Sequence, residues 1–231
     1  WNNVPSLTGL GSTSTLANQV QLAASTFLGV FETSATATWE AMPSSPPDAS
    51  SKTAEGYLLQ ASSTNFGAAL PGGLVYSSAT ASQAASVLTV SGLDRNTTYY
   101  WRVGSLNWNS APNYRTLGST GTLASPVSGP QAYAMFETSA TVNWVALPAT
   151  PQPSTAEGYV VEASSTDFGS LAPGGVILSS SSLGAALSTL TVQGLELNTT
   201  YYFRVGSLNW NSAPNYAVAS ASATRAPAPA D

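Results

Sequence analysis

The sequence predicts an all-β chain folded as two tandem antiparallel β-sandwiches. Three observations carry that expectation. Apolar residues alternate with polar ones at a period of two rather than 3.6. Turn-forming clusters separate the alternating runs, and no window shows a capped amphipathic helix. The chain also repeats itself: Arg102–Tyr114 reads RVGSLNWNSAPNY, and the same thirteen letters return 102 residues later at Arg204–Tyr216. A repeat of ~100 residues holding about seven short strands is the size of one sandwich.

Taken in order, residues 1–14 come first. Trp1-Asn2-x-x-Pro5 and the following Leu10-Gly11-Ser12-Thr13 match Trp108-Asn109-x-x-Pro112 and Leu117-Gly118-Ser119-Thr120 at an offset of 107. They are expected to be the terminal strand of a preceding, incomplete repeat, so that the intact array holds at least three. With both complete repeats supplying their own last strand, at roughly 113–122 and 215–224, this segment is expected to pair with another copy of the chain. The first complete unit spans 15–123. In it Ala35-Thr36-Ala37-Thr38-Trp39 alternates, as do Tyr57, Leu59 and Ala61, then Leu88 and Val90, then Tyr99, Trp101 and Val103. Turn signals fall between them at Pro46-Pro47, Pro71-Gly72-Gly73, Ser91-Gly92 and Asn113. The second unit spans 124–224 and repeats FETSAT, TAEGY, LTV-x-GL and NTTYY; the offset changes from 105 to 102 between Met42 and Lys52. That indel marks a surface loop. Residues 225–231 read as a Pro/Ala linker or tail.

The expected cores follow from the alternation. They are Trp39, Tyr57, Leu59, Leu88, Val90, Leu93, Tyr99, Trp101 and Val103 in the first unit. In the second they are Trp144, Tyr159, Val161, Leu190, Val192, Leu195, Tyr201, Phe203 and Val205.

At these residues the chain resembles fibronectin type III domains, an immunoglobulin-like sandwich. The resemblance rests on a Trp in the second strand (Trp39, Trp144) and an aromatic opening the third (Tyr57, Tyr159). It rests further on L-x-V-x-G-L-x-x-N-T-x-Y-x-x-R-V from Leu88 to Val103 and from Leu190 to Val205. It implies a tyrosine corner, with the hydroxyl of Tyr99 or Tyr201 bonding back to the upstream backbone. It implies that Trp108–Tyr114 and Trp210–Tyr216 follow strand F as the F–G loop, a position often used for recognition. This sandwich hosts adhesion, spacing, receptor and accessory roles alike, so the fold does not name the function.

Composition removes whole classes of chemistry. There is no Cys and no His, which excludes thiolate nucleophiles, disulfides, Cys/His zinc sites and a Ser-His-Asp triad. Charged residues are 7% of the chain and the net charge is −5, so the basic footprint needed for nucleic acid is missing. With 35 Ser and 26 Thr among 231 residues, hydration rests on hydroxyls and amides. No apolar run reaches the ~20 residues of a membrane span.

The candidate partner or glycan contacts are Trp108, Asn109, Tyr114, Trp210, Asn211 and Tyr216. Trp and Tyr present flat apolar area at low entropic cost. The alternative is structural: Asn and Pro shape the turn, and Trp shields a sheet edge or packs on the next domain. Asn96 and Asn198 begin N-x-T triplets, read either as glycosylation acceptors or as the turn before the tyrosine corner; the fold alone asks for the same letters. The eleven carboxylates are scattered singly, which suits neither a glycosidase pair nor a calcium loop. No catalytic, cofactor or metal residue is assigned. Arg204 and Glu162 are candidates for a cross-strand ion pair.

The functional expectation is a non-enzymatic structural or adhesive module of a secreted or cell-surface multi-repeat protein: a stalk, adhesin or filament building block. Its partners would be neighbouring repeats or copies of the same chain, with a surface protein or glycan as a further partner. The alternative is an accessory spacer, or weak carbohydrate-contacting module, of a secreted polysaccharide-degrading enzyme.

Overall fold

The computed structural model describes residues 5, 7–9, 11–44, 48–49, 52–67, 74–169 and 177–227. The expected turns at Pro46-Pro47 and Pro71–Gly73, and residues 1–4, 6 and 10 of the N-terminal segment, lie outside the described residues.

The first sandwich contains β1 (Phe27–Val30), β2 (Ser34–Thr38), β3 (Tyr57–Ser62), β4 (Val75–Thr80), β5 (Val87–Ser91), β6 (Thr98–Leu106) and β7 (Pro112–Gly121). A three-stranded sheet in the order β1-β2-β5 faces a four-stranded sheet in the order β4-β3-β6-β7. The second contains β8 (Ser128–Met135), β9 (Ser139–Val145), β10 (Gly158–Ser164), β11 (Ile177–Leu183), β12 (Thr189–Gln193), β13 (Thr200–Leu208), β14 (Pro214–Val218) and the short β15 (Ser222–Ala223). Its sheets run β8-β9-β12 and β11-β10-β13-β14, with β15 paired to the start of β13.

Alternation builds both cores. The inward residues of facing sheets interdigitate, so Tyr57, Leu59, Tyr99, Trp101 and Val103 are sealed from solvent, as are Tyr159, Val161, Tyr201, Phe203 and Val205. Trp39 tilts against Tyr57 at a centroid distance of 5.2 Å, and Trp144 against Tyr159 at 5.1 Å. Each buried tyrosine finds partners for its hydroxyl. Tyr57 accepts from the Met42 amide at 3.1 Å and donates to the Gln83 carbonyl at 3.1 Å; Tyr159 accepts from Leu147 at 2.9 Å and donates to Ala185 at 3.0 Å. Leu88 and Leu190, expected in the cores, are only half-buried and pack on their margins. Both lie on the outer strands β5 and β12, where the opposing sheet covers them incompletely.

The last strands differ between the sandwiches. In β7 a bulge lets the ladder with β6 continue past Gly118, whose φ of +101° suits glycine. Ser220 stands at the matching position of the second repeat, and there the ladder stops after Val218 and resumes at Ser222. Asn113, expected in a turn, sits inside β7 opposite Ser105. The glycine of the repeated TAEGY is required by packing. At Gly158 an added Cβ would lie 2.3 Å from the Ser182 carbonyl oxygen, and at Gly56 2.1 Å from that of Thr80.

Candidate functional site

The loop after β6 is organised by one buried asparagine. Asn107 Oδ1 accepts from the amides of Asn109 at 3.0 Å and Ala111 at 2.8 Å, and Ser110 completes the turn at a φ of +57°. This is local side-chain-to-backbone bonding of the kind Asn favours in turns. It leaves Asn107 Nδ2 free to point out of the loop. There it donates to the carbonyls of Thr15 at 2.9 Å and Ser14 at 3.3 Å. Asn109 Oδ1 accepts from the Ser14 amide at 2.9 Å, and Asn113 Nδ2 donates to the Ala17 carbonyl at 2.8 Å. The chain entering the first sandwich is thus held by its backbone.

The second sandwich does the same. Asn209 Oδ1 accepts from Asn211 at 3.0 Å and Ala213 at 2.9 Å, while its Nδ2 donates to the carbonyls of Gly121 at 2.8 Å and Thr122 at 3.0 Å. Asn211 Oδ1 takes the Gly121 amide at 2.6 Å, and Asn215 Nδ2 bonds the Ala124 carbonyl at 2.8 Å. Here the entering chain is the end of β7, so these bonds join one sandwich to the next.

A second set of contacts closes the junction. Asn96, at a φ of +45° in the turn before β6, is fully buried. Its Nδ2 donates to Thr155 Oγ1 and Glu157 Oε1, both at 3.0 Å, and Gln152 Nε2 donates to its carbonyl at 3.2 Å. The linker residue Leu123 receives the Asn96 amide on its carbonyl at 3.1 Å and gives its own amide to Phe31 at 3.0 Å. Glu32 accepts from Asn215 Nδ2 at 3.1 Å and pairs with Arg95 at 2.7 Å. The Arg95 side chain is 49% exposed, so that pair adds little. Between the two units lies a crevice of about 390 Å³ lined by Phe31, Glu32, Arg95 and Asn215.

The remaining expected site residues separate. Trp108 and Trp210 are 72% and 56% exposed. Tyr114 and Tyr216 do not extend that surface; each stacks on an arginine, of β6 and β13 respectively. Arg102 lies 3.8 Å from the Tyr114 ring and 3.9 Å from that of Phe66; Arg204 lies 3.8 Å from Tyr216 and 4.1 Å from Phe168. Such stacks stabilise by cation–π attraction. Arg204 also pairs with Glu162 at 2.6 Å, the expected cross-strand pair. Tyr216 is pushed up to about 12, first by burial and then by its hydrogen bond to Glu162. Among the described residues no group of three His, Cys, Asp or Glu side chains converges to hold a metal ion. No helix among them is long and apolar enough to cross a membrane.

The residues that sequence reasoning passed over are Asn107, Asn209, Asn215, Thr155 and Glu157, while Asn96 reads in the sequence only as a glycosylation acceptor or turn residue and Asn113 only as a turn signal. Most recur at the repeat spacing, which was the available signal; asparagine in a turn reads as a local choice, and its distant acceptors are invisible in sequence.

The strand order decides the fold. A three-stranded sheet faces a four-stranded one in the first sandwich and a five-stranded one, counting β15, in the second, and the hydroxyls of Tyr99 and Tyr201 accept the amides of Asp94 at 2.9 Å and Glu196 at 3.0 Å. The fold is two tandem fibronectin type III-like, immunoglobulin-like antiparallel β-sandwiches. No protein-family model and no curated protein matches the chain. Solved structures similar to it include the FN1–FN3 domains of chicken CNTN1, 14% identical over 91% of this chain and 68% of that one, with a TM-score of 0.41. A two-domain fibronectin type III segment of chicken tenascin is 17% identical over 83% of this chain and 94% of that one, with a TM-score of 0.37. The FN5 domain of Drosophila Lar is 19% identical over 46% of this chain and all of that one, with a TM-score of 0.35. Fibronectin type III sandwiches are widely used as structural and protein-interaction modules.

Proposed function

We propose that this chain is a non-enzymatic spacer segment of a secreted or cell-surface multi-repeat protein, a stalk, adhesin or filament building block acting through protein–protein contacts. One observation carries the reading: each F–G loop spends its asparagines on the backbone of the chain entering its own sandwich. A loop engaged this way sets the angle between consecutive units. Thr122, Leu123 and Ala124 each have a backbone carbonyl held by Asn209, the Asn96 amide or Asn215 respectively. Few linker torsions stay free, so the pair behaves as a short rod, and ligand contact along a rod of repeats gains by multivalency.

The test is NMR relaxation of the full chain. The two sandwiches are expected to share one rotational correlation time, and Asn96→Ala combined with Asn209→Ala is expected to split it into two shorter ones. Independent tumbling of the unmodified chain would overturn the proposal.

The exposure of Trp108 and Trp210 favours a second, narrower reading, in which the spacer touches a glycan or protein partner through these indoles, as in an accessory module of a polysaccharide-degrading enzyme. Titration with soluble polysaccharides should then quench tryptophan fluorescence, and the effect should vanish in Trp108→Ala plus Trp210→Ala. No quenching at any accessible concentration counts against the glycan.

A further inference from the structure

We infer that the far end of the second sandwich, centred on Asn198 and Glu137, is a docking face for one further copy of the same repeat, placed as the second sandwich is placed on the first. The inference rests on the spacer reading and names the partner of a face that reading leaves open.

The argument is a comparison of two ends of one chain. At the far end of the first sandwich Asn96 takes a left-handed turn, its amide bonds to Leu123 O, and Leu123 N bonds to Phe31 O. The Thr122 hydroxyl ties that end together, bonding to Asp94 O at 2.6 Å and receiving the Thr97 amide at 3.0 Å. At the far end of the second sandwich the same frame is present before anything is docked on it. Asn198 has a φ of +49°, its amide bonds to Arg225 O at 3.2 Å, and Arg225 N bonds to Phe136 O at 3.0 Å. The Thr224 hydroxyl bonds to Glu196 O and receives the Thr199 amide at 2.9 Å. The two backbones are therefore built to present the same side chain in the same way.

What differs is the cover. Asn96 is fully buried and its amide is consumed by Thr155 and Glu157. Asn198 is exposed. Glu137 stands where Glu32 stands, and Leu197 replaces Arg95. The Glu137 carboxylate therefore lacks the guanidinium that occupies Glu32, and is open to an Asn donor such as Asn215.

The complementary half is a property of the repeat itself. The first sandwich carries Thr53, Glu55 and Asn113 at the positions of Thr155, Glu157 and Asn215, and its loop already grips Ser14–Ala17 as the second grips Gly121–Ala124. A cleft of about 340 Å³ beside Thr53, Glu55 and Trp108 is the counterpart socket. An Asn on the turn Leu-x-x-Asn-Thr fits it by donating to the Thr hydroxyl and Glu carboxylate. The amide of the face is the donor and the Thr and Glu oxygens of the socket are the acceptors, as in the interface the chain already contains.

The experiment extends the chain so that residues 123–224 occur twice in succession, with Thr224 leading directly into the second Leu123-Ala124. Exchange of side-chain amide protons is followed by NMR. In the unextended chain Asn198 is expected to exchange at least ten-fold faster than Asn96. In the extended chain the Asn198 of the inner copy is expected to slow to the Asn96 rate. Asn198→Asp, which tolerates the left-handed turn and replaces the donating amide by a carboxylate facing the Glu of the socket, should free the added sandwich in relaxation measurements with little change in the melting of the unextended chain. If Asn96 is protected and the inner Asn198 still exchanges freely, the docking face is refuted while the spacer stands. If Asn96 itself exchanges freely, the spacer reading falls and takes this inference with it.

Discussion

Replacing Asn209 by aspartate separates the two jobs of its side chain. One Oδ remains to accept from the Asn211 and Ala213 amides, so the loop keeps its shape. The other replaces Nδ2 and faces the carbonyl oxygens of Gly121 and Thr122, which now lie 2.8 and 3.0 Å from a donor. Two hydrogen bonds are lost, worth about 0.5–1.5 kcal/mol each. A charged oxygen at a residue only 1% exposed then meets two carbonyls without a proton between them, adding about 1–3 kcal/mol. The clamped geometry should therefore lose roughly 2–6 kcal/mol, and at about 1.4 kcal/mol per tenfold its opening should rise by about thirtyfold or more. Backbone hydrogen exchange reads this directly. The Gly121 amide, which bonds Asn211 Oδ1 at 2.6 Å, should exchange far faster, while the Asn211 and Ala213 amides stay protected. In Asn209→Ala all three should lose protection. Unchanged protection of Gly121 in Asn209→Asp would refute the clamp.

Three further outcomes are expected. Trp39→Ala and Trp144→Ala should each cost roughly 3–5 kcal/mol in urea unfolding by leaving a large cavity; a midpoint close to the parent's would contradict the core assignment. Tyr99→Phe and Tyr201→Phe should each cost about 1–3 kcal/mol, because the Asp94 and Glu196 amides lose their acceptor, measured in the same assay. Burial pushes Tyr99 up to about 12 and raises Tyr57 and Tyr159, against a usual value of about 10. The folded state therefore holds these protons more tightly than the unfolded state. Their contribution is fully present below pH 10 and is lost as the pH rises toward 12. Urea midpoints should be level from pH 8 to 9.5 and fall above pH 10; a level midpoint up to pH 11.5 would contradict this.

The fold was legible because its determinants are local. Period-two alternation places Trp101, Val103 and Tyr99 on one face whatever the neighbours do, and the repeat doubles the statistics. The break between β14 and β15 was not legible, because it depends on whether a bulge finds Gly118 or Ser220, a single backbone conformation. The half-burial of Leu88 and Leu190 depends on how far one sheet overhangs the other, which no alternation encodes. The loop was expected over Trp108–Tyr114, whereas β7 already begins at Pro112; its aromatic letters drew attention and its asparagines did the bonding. Tyr114 shares a segment with Trp108 in sequence, yet one strand position and the guanidinium of Arg102 draw it to another face.

Where the loop after β13 grips the linker, the junction is made of neutral amides meeting backbone carbonyls: Asn209 on Gly121 and Thr122, Asn215 on Ala124. Mobile ions screen interactions between charges within about 10 Å at 0.1 M salt, and such bonds offer them no net charge to screen. The grip of the loop on the linker is thereby insensitive to the salinity of the surroundings, while the letters of the linker stay fixed by packing: Gly121 lies against Asn211, the Thr122 hydroxyl bonds the Asp94 carbonyl, and Ala124 is buried.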